Sequence, residues 1–357
     1  MPFYAVIMAG GVGKRFWPQS RKQHPKQLLK IANDYSMLRL TVERLKHLTD
    51  ISKILIITNT EQENGIRAEI PELPIDNIII EPAGKNTAPA IGLAAIHVAH
   101  RNPDAVMGIF PADHLVGDTE SFVNYVNDGI SAANETGGLI TFGVVPTKPA
   151  TGYGYIQFSD ANHRVGNSYP VRTFAEKPNL ETARAFLKSG DFLWNSGMFC
   201  WKAEAILSAT ELFIPELYDS LKNIREAIGN NVYESVLTIE WATLRSESVD
   251  YGIMEKAENV WVVRVDFPWN DVGSWDAVYD ISTQRDEDGN VIQGDALLRD
   301  SSNNLVYAGG RTVAMVGIDG LIVIDTPDAL LIVRRDHSEE VKYIVDDLEK
   351  KNRKDLL

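Results

Sequence analysis

The sequence of 357 residues predicts an α/β fold in two parts, a larger domain over residues 1–285 and a smaller β-rich domain over residues 286–357. Three observations lead there. Apolar runs of strand length alternate with helical patterns through the first two-thirds of the chain, which is how an open α/β sheet reads in sequence. The polar stretch 284–290 interrupts that alternation. Past it, short apolar runs are separated by turns rich in Gly, Asp, Asn and Pro.

Taken in order, the buried strands of the larger domain are expected at 4–8, 54–58, 78–81, 106–111 and 139–144. Between them, the 37–47 segment places Leu38, Val42 and Leu45 on one face, and 88–99 reads as a second amphipathic helix. The alternation favours parallel strands with crossover helices. From 151 to 201 the pattern turns glycine- and aromatic-rich, with strands expected around 154–158, 171–176 and 198–201, and suits a substrate-facing lobe. Helical periodicity returns through 236, followed by a strand at 260–265. In the smaller domain strands are expected at 305–307, 313–316, 321–324 and 330–333. The chain closes on a helix for which Ser338 is the expected cap. Glu339 and Glu340 suit its first turn, and Val341, Ile344, Val345 and Leu348 form its apolar stripe.

With 44% hydrophobic and 24% charged residues, the composition is that of a globular protein. Cys200 is the only cysteine, which excludes an intrachain disulfide and a cysteine-based zinc site and fits a reducing compartment. No leader, membrane-length apolar run or lipid-anchor signal is evident, so a cytoplasmic location is expected. A net charge of -14 speaks against nucleic acid and anionic membranes as partners. None of the seven histidines has metal-ligand spacing, and no Ser-His-Asp or Cys-His arrangement stands out.

The charge is unevenly spread. Residues 1–33 contain Lys14, Arg15, Arg21, Lys22, Lys26 and Lys30 and no acidic residue, a local +6 in an acidic chain. A bare charge run is most simply a solvated face. Here it encloses AGGVGKRFWPQSRKQHPKQLL, residues 9–29, directly after the first expected strand. Gly10, Gly11 and Gly13 let the backbone turn tightly and bring N–H groups to an anion, while Lys14, Arg15 and Lys26 supply charge. The segment is no Walker A loop, since Met8 replaces the leading glycine and Arg15 follows Lys14. Phe16 in place of a third glycine spoils the dinucleotide fingerprint.

Glycines alone would fit any tight strand-to-helix turn. With Arg15, Pro25, Lys26 and Gln27 added, the segment resembles the signature of the nucleotide-sugar pyrophosphorylases, and within them the mannose-1-phosphate guanylyltransferases. The resemblance departs at Gln19, where the mannose branch more often has an apolar residue. It implies a Rossmann-like, GT-A-like mixed sheet, with Ala9, Gly10, Gly11, Gly13 and Lys14 on the nucleotide and Arg15 and Lys26 as the catalytic cations. Further motifs follow in family order. In EPAGKNTAPAI, residues 81–91, Asn86 or Thr87 can cap a helix whose free N–H groups face the nucleotide. In PADH, residues 111–114, Asp113 falls at the end of a strand, where open α/β sheets place ligands. The resemblance makes Asp113, with Asp271 of NDVGSW, the ligands of Mg2+, a suitable pair for that ion.

The sugar side is implied by TGYGYI (151–156), FAEKP (174–178) and WNSGMF (194–199), followed by YGIMEK (251–256) just after Asp250. Gly152 and Gly154 allow close backbone approach, Glu176 and Asn195 can hydrogen-bond sugar hydroxyls, and Lys177 can pair with the sugar phosphate. A turn at Lys177–Pro178 and a bulge at Gly197 are the plain structural readings of two of these pieces. The implied partners are GTP and mannose 1-phosphate, joined by in-line attack on the α-phosphorus without a general base. Relatives append a short left-handed β-helix used in dimer formation, so a homodimer is expected, although residues after 290 lack a hexapeptide rhythm. An appended phosphomannose isomerase barrel is not expected, because too little chain follows. The alternatives are a transferase for another base or hexose, a silent regulatory homologue and, more distantly, a dehydrogenase.

Overall fold

The computed structural model describes residues 2–31, 33–159 and 164–357. Eleven strands belong to the larger domain. They are β1 (Phe3–Met8), β2 (Ile54–Asn59), β3 (Ile78–Glu81), β4 (Val106–Pro111), β5 (Leu115–Val116) and β6 (Leu139–Val144), then β7 (Tyr155–Phe158), β8 (Ser168–Ala175), β9 (Phe192–Lys202), β10 (Val260–Val265) and β11 (Trp269–Asn270). Nine of them form one twisted layer in the order β3-β2-β1-β4-β9-β6-β10-β8-β7, and β5 pairs separately with β11.

β1 runs parallel to β2 and β4, and β6 parallel to β10, as the alternation of apolar runs with helices predicts. β9 breaks that pattern by pairing antiparallel with both β4 and β6. It begins at Phe192, well before the expected strand at 198, so Asn195 lies inside a strand. Its register against β6 shifts between Thr141 and Gly143, placing an irregularity at Ser196 to Met198, which agrees with a bulge at Gly197. The sheet is therefore mixed, with its parallel half presenting the carboxyl ends of β1, β2, β3 and β4 to one rim.

The Thr87–Arg101 helix extends the expected 88–99 element and is buried on almost every side, because it is sandwiched between the sheet and the Ala203–Phe213 and Pro215–Ala227 helices. That position demands small side chains. Ala88, Ala90, Ala94, Ala95 and Ala99 meet the demand. Asn86 caps the helix by accepting from Thr87 N at 2.8 Å.

Beyond residue 290 come β12 (Val291–Gln293), β13 (Ala296–Arg299), β14 (Leu305–Tyr307), β15 (Val313–Val316), β16 (Leu321–Asp325) and β17 (Leu330–Arg334). β12, β14 and β16 stack in parallel, as do β13 and β15, while β17 closes the stack antiparallel to β16. This is a coiled parallel stack of β-helix type. Its coils are held by an asparagine ladder, in which Asn290 Oδ1 accepts from Asn304 N 14 residues on and Asn304 Oδ1 from Leu321 N 17 residues on. Unequal coils explain why no six-residue rhythm shows in the sequence.

The closing helix differs from expectation. It spans Val341–Lys350, and Ser338 is buried in a preceding 3-10 segment, Arg335–Glu340, rather than acting as its cap. Arg335 fixes that segment by pairing with Asp276 at 2.6 Å and Asp280 at 3.1 Å and packing over the Tyr279 ring. No helix among the described residues is long and apolar enough to cross a membrane.

One apolar cluster joins the two parts, packing Phe16, Trp17, Leu29 and Met37 against Trp275, Tyr307, Ile324 and Val341. Trp275 is fully buried at its centre, 5.1 Å from Phe16 and 5.4 Å from Tyr307 between ring centroids. Trp275→Ala is expected to cost about 3–5 kcal/mol, the range for emptying an aromatic core site. Equilibrium denaturation reads it, and a loss under about 1 kcal/mol would mean that the seam packs loosely.

Candidate active site

The loop after β1 is built to leave its amides free. Its carbonyls are tied backwards: Ala9 O accepts from Gln27 Nε2 and Thr58 Oγ1, Gly10 O from Asn59 Nδ2 and Gly11 O from Gln62 Nε2. Among the described residues, the N–H groups of Gly10, Gly11, Val12 and Gly13 donate to no protein acceptor. Such a concavity of amides is an anion nest. Gly13 has φ +74°, and a Cβ there would strike the Lys26 side chain, so glycine is required on both counts.

Lys26 is buried, its side chain only 6% exposed, and its ammonium donates to Asp113 Oδ2 at 2.8 Å and to the Asp271 carbonyl at 2.7 Å. Asp113 follows β4 and Asp271 follows β11, so this cation unites residues far apart in sequence. Burial pushes the Asp113 carboxyl up, but Lys26 and His114 outweigh it and hold it below the ordinary carboxylate value. Tyr153 Oη donates to Asp271 Oδ1 at 2.8 Å. The backbone that carries Asp271 is constrained, with Val272 at φ +47° and its N–H bonded to Asn270 Oδ1. Arg15 reaches the same loop, donating to Gly273 O at 3.4 Å.

The Asp113 carboxylate and the Asp271 backbone carbonyl share the Lys26 ammonium, and the carboxylates of these two residues are the oxygen donors here suited to a divalent ion. No cluster of three or more His, Cys, Asp or Glu side chains arranged for a metal occurs among the described residues, and His163 lies outside them. A two-carboxylate set of hard oxygens, with phosphate and water completing the shell, is the habit of Mg2+ rather than of zinc.

Lys14 is placed differently from the other loop cations. Its ammonium pairs with Asp346 at 2.8 Å and Glu349 at 3.1 Å on the closing helix, which raises its pKa. Arg21 likewise pairs with Asp328 at 3.1 Å. Part of the basic run therefore fastens the smaller domain to the loop.

Gly10, Gly11, Asn86, Thr87, Asp113 and Asp250 line one cleft of about 610 Å³. Glu81, which sequence reasoning passed over, forms its wall. It ends β3, is 4% exposed, and its Oε2 has no hydrogen-bond partner; burial raises its pKa to about 7. The signal was an acidic residue closing an otherwise apolar strand.

In the glycine- and aromatic-rich segment 151–201, Glu176 Oε2 is also buried without a partner, while Oε1 pairs with Lys177 Nζ at 3.0 Å. Gly154 lies so close that any Cβ would strike Glu176 Oε2. Lys177 has φ +48°, so the expected turn falls at this residue. Burial works against its charge, but Glu176 outweighs burial and raises its pKa. Asn195 Oδ1 accepts from Thr141 Oγ1 and Gly197 N, and Nδ2 donates to Asp250 Oδ1 at 2.9 Å. Its amide is thus spent largely on holding Asp250, a half-buried residue whose pKa is raised to about 6 by desolvation and by Glu176.

The chain is similar to known proteins over nearly its whole length. Residues 4–288 match the nucleotidyl transferase family, and residues 294–348 match the MannoseP isomerase/GMP-like beta-helix domain. The mannose-1-phosphate guanylyltransferase of Klebsiella pneumoniae is 39% identical over 355 residues, covering 98% of this chain and 74% of its own length. An Escherichia coli protein of that name is 38% identical over 366 residues, covering 99% and 77%. A crystal structure from Thermus thermophilus, titled mannose-1-phosphate geranyltransferase, superposes with a TM-score of 0.87 at 34% identity, covering 98% of this chain and all of that one. With its glycine nest, its Lys26-bridged aspartates and its coiled C-terminal stack, the chain belongs to the mannose-1-phosphate guanylyltransferase family of nucleotidyl transferases.

Proposed function

We propose that this chain joins GTP and α-D-mannose 1-phosphate to give GDP-mannose and diphosphate, with Mg2+ held by Asp113 and Asp271. The observation that carries the reading is the Lys26 bridge beside a nest of free amides, a preformed place for a triphosphate. An oxygen of the sugar 1-phosphate attacks the α-phosphorus. The new P–O bond forms as the bond to the diphosphate oxygen breaks, and its electron pair leaves with diphosphate. The nucleophile is already an anion, so no side chain need take a proton, and the protein positions and neutralises. The nest holds the phosphates, and Arg15 and Lys26 offset charge on the departing diphosphate. When bound, the metal would screen the repulsion between the two phosphate groups.

The base preference rests on Glu81. A carboxylate accepts two hydrogen bonds side by side, and guanine offers N1–H and its 2-amino group in that arrangement; adenine does not. On the sugar, the free Oε2 of Glu176 suits a hydroxyl and Lys177 suits the 1-phosphate. The proposal extends to a cytoplasmic homodimer. The outer face of the β13–β15 pair supports it, with Leu297 66% and Val316 68% exposed.

The test is a matrix of GTP, UTP, dTTP and ATP against mannose 1-phosphate and glucose 1-phosphate. GTP with mannose 1-phosphate should give the highest kcat/KM; a higher value for any other pair would assign the site to a different nucleotide sugar.

Arg15→Ala and Lys26→Ala should each lower kcat on the order of 100-fold or more, as loss of a preorganised transition-state donor does. Their stabilities should differ. Lys26 is buried and bridges two segments, so its loss should lower the melting temperature, while that of Arg15 should leave it nearly unchanged. Full turnover in either purified variant removes that residue from the mechanism.

Glu81 gives a pH signature. Its folded pKa near 7 exceeds the ordinary 4.5, so the folded chain binds more protons between these values and loses stability as pH rises through them. Glu81→Gln should therefore gain about 3 kcal/mol at pH 8 and nothing at pH 4, while kcat/KM for GTP falls. Equal melting temperatures of variant and wild type at pH 8 would contradict the assignment.

A further inference from the structure

The two aspartates to which the proposed function gives the metal are held in different ways. Asp113 takes the Lys26 ammonium on Oδ2 at 2.8 Å. Asp271 offers that ammonium only its backbone carbonyl, so the cation leaves the Asp271 carboxylate unheld. Among the described residues a single donor reaches that carboxylate, the Tyr153 hydroxyl, 2.8 Å from Oδ1. Oδ2 accepts no hydrogen bond from the described residues. A Cβ on Gly273 would stand 3.1 Å from it, so the glycine keeps the space beside Oδ2 open.

Tyr153 is itself fixed from two sides. Its ring stands edge-on to Trp194 and to Trp269, with centroids 5.0 Å and 5.4 Å away. Trp269 is anchored in turn, because its Nε1 donates to Nδ1 of His114, the residue after Asp113, at 3.3 Å. A carboxylate left to itself turns broadly about its Cβ–Cγ bond. A donor on one oxygen sets the plane of the group and leaves the lone pairs of the other for an incoming ion. Hydrogen-bond partners of this kind around a ligating carboxylate raise metal affinity.

We propose that Tyr153 is the positioning residue of the metal site. By donating to Asp271 Oδ1 it presents Oδ2 to the divalent ion. This rests on the placement of the metal at Asp113 and Asp271 given above. Tyr153 belongs to the 151–156 segment, whose Gly154 lies against Glu176, so one short stretch of chain joins the sugar-reading carboxylate to the metal-binding one.

Calorimetric titration of the full chain with guanosine 5′-(α,β-methylene)triphosphate, which cannot be split at the α-phosphorus, tests it when run with saturating Mn2+ and again with EDTA. The ratio of the two affinities is the gain from metal. Tyr153→Phe keeps the ring and removes only the hydroxyl. It should cut the gain about tenfold, the loss typical of removing a partner of a metal ligand, and leave the affinity in EDTA as in wild type. In turnover, half-saturation by Mg2+ should rise by a like factor, with kcat recovering at saturating Mg2+. Asp271→Asn should lose the gain outright. If Asp271→Asn keeps the wild-type gain, the metal placement fails and the role of Tyr153 with it. If Asp271→Asn loses the gain while Tyr153→Phe keeps it, the role of Tyr153 alone is overturned. An unchanged gain with a raised KM for the sugar phosphate assigns the hydroxyl to the sugar and overturns the proposal as well.

Discussion

The ammonium of Lys26 donates to the Asp113 carboxylate and to the backbone of Asp271, and it does so from a buried position beneath the glycine loop. Three distant segments are closed on one another by that cation, as its bonds span 87 and 245 positions. The arrangement is self-consistent in charge. A buried lysine would be unstable without an anion, and the Asp113 carboxylate supplies it while the Asp271 carbonyl accepts a second bond. A polyanion entering the site meets the free amides of the loop and the Lys26 ammonium on one side and the Asp113 carboxylate on the other.

The rest of the fold supports that junction from two directions. Below, the parallel strands β1 and β4 deliver the nest and Asp113 to one rim, and Gln27 with Gln62 turns the loop carbonyls inward. Above, the coiled stack and closing helix grip the loop from outside, through Lys14 to Asp346 and Glu349, Arg21 to Asp328, and Trp17 Nε1 to Leu356 O. The smaller domain is thus a buttress for the signature loop. A loop rich in glycine has much conformational freedom to lose, and docking it into an apolar seam with Trp275 removes that freedom before the substrate arrives.

Much of this was legible in the sequence, for identifiable reasons. Strands β3, β4 and β6 announced themselves to the residue because parallel strands buried on both faces read as unbroken apolar runs. β9 was seen only in its last part, since Asn195, Ser196 and Gly197 interrupt the run where the strand bends. Charge counting identified the basic loop and could not tell which cations face a ligand; Lys14 and Arg21 pair with acids that follow more than 300 residues later. Glu81 and Tyr153 were not singled out as site residues, because what marks them is burial and partners, and Asp250 was noted only beside the YGIMEK motif without the contact to Asn195. The helix cap at Ser338 failed because a local rule was overridden by Arg335, which ties its segment to Asp276 and Asp280.

If Asp113 and Asp271 hold a divalent ion beside a triphosphate, the Lys26 ammonium must give up Asp113 to the metal and turn to the phosphate. Anomalous diffraction from crystals of the full chain grown with Mn2+ and GTP tests it most directly. The expected result is a metal peak bound by Asp113 and Asp271, with the Lys26 ammonium moved from Asp113 onto phosphate oxygen. Nucleotide in the cleft with the metal held elsewhere, or with Lys26 still on Asp113, would contradict it.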